Sequence, residues 1–155
     1  MKRRTSVAGA AGALLLVAVV AAPAGADTML AVGPRITLLD KGMTLSVPVR
    51  YECPQSTSSA PEYVYVSVIQ AVPNRRHGRV PTSSYSFLEA RCDDRPHSTE
   101  MLLPLDHWEL PFQAGIALVT SSLDYTDAAG IRQEVFLSQE LRLSPRPISR
   151  SGVRS

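Results

Sequence analysis

Met43-Thr44-Leu45-Ser46-Val47-Pro48-Val49-Arg50-Tyr51-Glu52-Cys53 alternates with a period of two. Leu45, Val47, Val49, Tyr51 and Cys53 share one face, and Thr44, Ser46, Pro48, Arg50 and Glu52 share the other. Side chains on a strand point to opposite faces in turn, so the stretch reads as a half-buried strand. Pro48 has no N–H to donate, which predicts that one side of its ladder is open or bulged.

The same period recurs in both directions, and no stretch keeps helical spacing for long. Before the central strand, Arg35 to Leu39 makes a short strand joined through Asp40-Lys41-Gly42, a hairpin-type turn in which Gly takes positive φ. After it come a polar loop from Pro54 to Pro61 and a strand from Tyr63 to Ala71 that is apolar on both faces. Such a strand is central in its sheet or has its second face covered. Pro73 to Ser84 reads as a basic loop with Arg75, Arg76, His77 and Arg79. Tyr85 to Cys92 then puts Leu88, Ala90 and Cys92 on one side. Thr99 to Leu105 turns Met101, Leu103 and Leu105 inward, and an irregular link, Asp106 to Gly115, leads to a strand from Ile116 to Ser122. Asp127-Ala128-Ala129-Gly130 is a turn, and Ile131 to Leu143 is the last strand. Seven strands with turn signals between them predict an all-β fold, an immunoglobulin-like antiparallel β-sandwich over residues 27–143. Ser144 to Ser155, with two Pro, three Arg and no acid, reads as a disordered tail.

The N-terminus has a different grammar. Lys2, Arg3 and Arg4 precede an apolar run from Val7 to Ala22, followed by small residues. Residues 1–26 therefore read as a helical signal peptide cut after Ala24-Gly25-Ala26, with cuts after Ala22 or Ala24 as minor alternatives. A retained anchor fits less well, because a bilayer span needs about 20 apolar residues and this run is shorter and diluted by Gly and Ala. Cleavage takes three of the 16 positive charges and none of the 14 negative ones, leaving 129 residues close to neutral. A near-neutral chain gives no general attraction to nucleic acid or to an anionic membrane. Cys53 and Cys92, both in the exported part, read as a disulfide. Closing a loop of about 40 residues contributes about 4 kcal/mol through the unfolded state.

The order Tyr51-Glu52-Cys53, Val66-Ser67-Val68-Ile69-Gln70, Cys92-Asp93 and Phe112-Gln113-Ala114-Gly115-Ile116-Ala117 resembles small secreted immunoglobulin-like proteins of actinobacteria, a group of unknown function. The resemblance implies a fold and a location and brings no catalytic residues. Enediyne-binding chromoproteins resemble the chain less, since they use two disulfides and this chain can make one. The Trp expected on the third strand of antibody domains is absent, the only Trp being Trp108.

Catalytic and cofactor motifs are missing, so a noncatalytic protein without a cofactor is expected. His77, His97 and His107 lie in predicted loops and lack metal-ligand spacing. Asp124 to Gly130 superficially suggests a calcium loop, but Ala128 and Ala129 break the oxygen pattern and a hairpin turn with Asp capping is expected. Cys92-Asp93-Asp94-Arg95 reads as a solvated acidic turn. Arg75, Arg76 and Arg79 could meet an anionic ligand, although a solvated loop is the plainer reading, and no aromatics are interleaved for nucleic acid. Trp108, with Leu110 and Phe112, is either a partner anchor or a plug for the open end of the sandwich. The plug is expected, because an exposed Trp in that company would make an apolar patch.

The expected function is a secreted binding or structural module that uses end loops or an exposed sheet face on an extracellular protein or cell-envelope component. No stable membrane anchor is expected after signal cleavage. A carrier of a small apolar ligand is the alternative, as is an exoenzyme inhibitor presenting Pro54 to Pro61.

Overall fold

A computed structural model describes residues 28–56, 58–106 and 108–146. The signal-peptide reading of residues 1–26, His107 and the tail from 147 onward lie outside the described residues.

The described chain is all-β, with eight strands and one 3-10 turn. The strands are β1 (Met29–Val32), β2 (Arg35–Leu39), β3 (Thr44–Glu52), β4 (Tyr63–Asn74), β5 (Gly78–Glu89), β6 (His97–Pro104), β7 (Gly115–Thr126) and β8 (Arg132–Pro145). Their order is β1-β3-β2-β8-β7-β4-β5, with β6 on β3. Every pairing is antiparallel except β2 with β8. β5 also approaches β6, so the two ends of the strand order come together and the sheet doubles over its own core.

The stretch that decided the fold behaves as its period requires. Leu45, Val47, Val49, Tyr51 and Cys53 are all buried, in one cluster with Val64, Val66 and Val68 of β4, Met101 and Leu103 of β6, and Ala117, Val119 and Leu123 of β7. Pro48 sits where β1 ends and β2 has not begun, for Val32 pairs with Val49 and Thr37 with Ser46. The missing N–H therefore falls at a break in the ladder, while the Pro48 carbonyl accepts from Gly33 N at 2.8 Å. Gly33 belongs there for a steric reason: a Cβ would come within 2.6 Å of Pro48 Cγ.

Three expectations need correction. A strand missing from the sequence reading, β1, precedes the first predicted one. The predicted basic loop from Pro73 to Ser84 is a hairpin, in which β4 runs to Asn74 and β5 starts at Gly78. Asn74 Oδ1 accepts from the N–H groups of Arg76 (2.9 Å) and His77 (3.2 Å), and Gly78 takes φ +76°, which closes the turn in three residues. Charged residues and Pro81 signalled a loop because an edge strand tolerates both, and β5 is an edge. The last strand also runs past Leu143 to Pro145. β4, apolar on both faces, is central in its sheet between β5 and β7, and its outer Tyr65 and Ile69 remain exposed.

Candidate binding surfaces

Cys53 and Cys92 form the disulfide, with an S–S length of 2.03 Å. Cys92 lies beyond the end of β5, and the chain around it is held to the end of β3. Asp94 N donates to Cys53 O at 3.1 Å, and Gln55 N donates to Asp94 Oδ1 at 3.1 Å. The acidic turn is ion-paired: Asp93 lies 2.8 Å from His97 Nε2 and 3.0 Å from Arg91 Nε. The hydrogen bond with His97 holds the Asp93 carboxyl below its ordinary range. Partial burial opposes that shift, and the charges of His97, Arg91 and Arg95 reinforce it. His97 is not a loop residue: it opens β6 and stacks on Tyr51 at 5.3 Å.

The opposite end is closed by Phe112, which is buried. Gly42, at φ +91°, lies so close to the link that a Cβ would stand 2.1 Å from the Phe112 carbonyl oxygen. Phe112 N donates to Gly42 O at 3.0 Å. Gln70, buried at an inward position of β4, donates to Gln113 O and accepts from Gln113 N, both at 2.9 Å. Sequence reading missed this role, although a lone amide continuing the inward series Val64, Val66 and Val68 was a legible signal.

Trp108 is the main correction. Phe112 plugs the end as expected, but Trp108 is 74 % exposed. Its neighbours tie the loop to β5. Thr82 Oγ1 donates to Leu110 O at 2.6 Å, and Ser83 N donates to Glu109 Oε2 at 3.0 Å. Glu109 and Leu110 therefore hold this loop against β5. Arg75 and Arg76 are exposed in the β4–β5 turn, whereas Arg79 donates to the Ala71 carbonyl within the hairpin.

Asp127 closes its hairpin turn as a cap. Its Oδ1 accepts from Ala129 N and Ile131 N at 2.9 Å, and its Oδ2 accepts from Gln133 Nε2 at 2.8 Å. The hydrogen bond from Ile131, then that from Gln133, lowers the carboxyl's pKa. Among the described residues no group of three or more His, Cys, Asp or Glu could hold a metal ion.

Several exposed aromatic and aliphatic side chains share a sheet face that the sequence did not mark as a site. On the outer face of β8, β7, β4 and β5, the register sets Phe136, Ser122, Tyr65 and Phe87 in one row. The next row is Ser138, Thr120, Ser67 and Tyr85, and the third is Glu140, Leu118, Ile69 and Ser83. Tyr65, Tyr85, Phe87, Phe136, Ile69 and Leu118 are all exposed. The rings of Tyr63, Tyr65 and Phe87 contact one another with centroids 5.8 Å apart. A shallow depression of about 180 Å³ between Tyr65, Tyr85 and Phe136 is floored by Ser67, Thr120 and Ser122. A larger one, about 530 Å³, lies between β5 and the Trp108 loop and is lined by serines, Asp106 and Glu109 together with Tyr85 and Phe87. Among the described residues no helix is long and apolar enough to cross a membrane. No protein-family model and no curated protein matches the chain.

Proposed function

We propose that the chain is a secreted, noncatalytic immunoglobulin-like β-sandwich that docks a protein partner in the extracellular space or cell envelope through the outer face of β8, β7, β4 and β5. The exposed aromatic face carries the reading. Monomeric soluble proteins rarely show contiguous apolar patches beyond a few hundred Å², and larger ones mark interaction sites. Tyr and Phe are also the residues that enrich interface cores. The sandwich is supported by the doubling of the sheet and by the first strand's division into β1 and β2, which share one edge of β3 before β2 turns to parallel pairing with β8. The disulfide differs from the antibody pattern, which links the second strand to the sixth across the sheets. Here it ties the end of β3 to the stretch after β5. Export is supported by that disulfide and by the tripartite N-terminus.

Capture from culture supernatant and washed envelopes tests the docking face. A protein retained by the native chain and by Trp108→Ala, but lost with Phe87→Asp/Phe136→Asp, supports the assignment. Equal retention on the double aspartate variant overturns it.

A further inference from the structure

The outer face carries a charge pattern that suits a second copy of the same chain. Asp124 and Glu134 are direct cross-strand partners, and Glu89 lies in the same row beyond Tyr63. At the other end Arg35 and Arg142 are direct partners across β2 and β8. Like charges placed opposite each other weaken a strand pair. The ion pair from Arg132 to Asp124, at 3.7 Å, relieves only part of the acidic row. Eight residues of β8 separate Glu134 from Arg142, about 27 Å at strand rise. The three rows between these ends carry a single charge, Glu140.

We infer that two copies pack face to face through this surface about a twofold axis perpendicular to the strands. This rests on the docking-face reading above. Such an axis keeps each strand over its own counterpart and reverses its direction. The row with Ser138, Thr120, Ser67 and Tyr85 meets itself at the centre. Tyr65 of one copy then lies over Ile69 of the other, Ser122 over Leu118, Phe87 over Ser83 and Phe136 over Glu140. Glu134 is brought to Arg142 of the other copy, twice by symmetry, as an isologous interface requires. A twofold axis parallel to the strands would lay acid row on acid row, so the charges select the first arrangement. Four strands by eight residues span about 19 by 27 Å, about 500 Å² in projection. That is below the roughly 800 Å² per partner of a standard interface and in the range of a weak, concentration-dependent one.

Sedimentation equilibrium of the mature protein is the test, with a single cooperative thermal transition required of every variant. The native chain should be a concentration-dependent dimer. Phe87→Asp should weaken dimerisation by about 100-fold or more, on the scale of an interface hot spot. Glu134→Arg and Arg142→Glu should each weaken it about tenfold, through like-charge juxtaposition. The double variant Glu134→Arg/Arg142→Glu should return to near the native constant, because the pair is restored across the interface. A native chain that stays monomeric, or a double variant no better than the singles, overturns the inference. If the monomeric chain still captures another protein through Phe87 and Phe136, only the identity of the partner falls. If capture is also insensitive to those residues, the docking face falls with it.

Discussion

Nine residues of β3 separate two ends of the domain that are closed by different chemistry. At the Cys53 end the closure is covalent and ionic, a disulfide beside the Asp93–His97 and Asp93–Arg91 pairs. At the Gly42 end it is packing and neutral hydrogen bonding, a buried Phe112 held by Gly42 and Gln70. The first end depends on redox state and pH, whereas the second depends on shape. A small domain has only a modest apolar core, and a cross-link strengthens it by restricting the unfolded chain.

The largest expected effect tests the plug. Phe112→Ala should lower stability by about 3–5 kcal/mol, because the ring is buried and Gly42 holds the backbone too closely for the site to collapse. Urea unfolding with an unchanged m-value measures it, and a loss under 1 kcal/mol would show that the end is not closed by packing.

Opening the other end by Cys53→Ala/Cys92→Ala should remove about 4 kcal/mol, from a closed loop with a sequence separation of 39. Combining it with Phe112→Ala sharpens the comparison. The ends are far apart and share no partner, so the losses should add within about 0.5 kcal/mol. Strong coupling would mean that the two closures act as one.

How much of this was legible follows from what each end is made of. The β3 alternation and the inward Cys53 could be read because period two is a property of the backbone. The start of β5 could not, since its buried positions Thr82 and Ser84 are polar. Their hydroxyls donate to Leu110 O and to Pro104 O, at 2.6 Å each, partners distant in sequence. The outer aromatic face was half legible. Placing Leu88, Ala90 and Cys92 on one side sends Tyr85 and Phe87 to the other, but the register that lines them up with Tyr65 and Phe136 is tertiary.

A smaller effect separates the ends by pH. Asp93's pKa is held below its ordinary value of 3.8, so the stability it contributes is fully present above that value. It is lost as pH falls through the lowered one. Asp93→Asn should therefore lower the thermal midpoint at pH 6 and converge with the native protein at strongly acid pH. Substitutions at the Phe112 end should show a pH-independent difference. A constant gap for Asp93→Asn across the acid range would mean that the ion pairs do not stabilise their end.

Trp108→Ala carries the smallest expected effect on stability, within about 0.5 kcal/mol, the range of surface substitutions. The indole is 74 % exposed, while the buried ring at this end belongs to Phe112, four residues on. Glu109 Oε2 and Leu110 O attach the same loop to Thr82 and Ser83. Tryptophan emission should accordingly be red-shifted and open to quenching by acrylamide. Phe112→Ala gives the contrasting measurement, since it should destabilise the fold while leaving Trp108 as quenchable as before. A blue-shifted, shielded indole in the native protein, or a loss of 3 kcal/mol on its removal, would make Trp108 part of the plug and reduce the difference between the two ends to the disulfide alone.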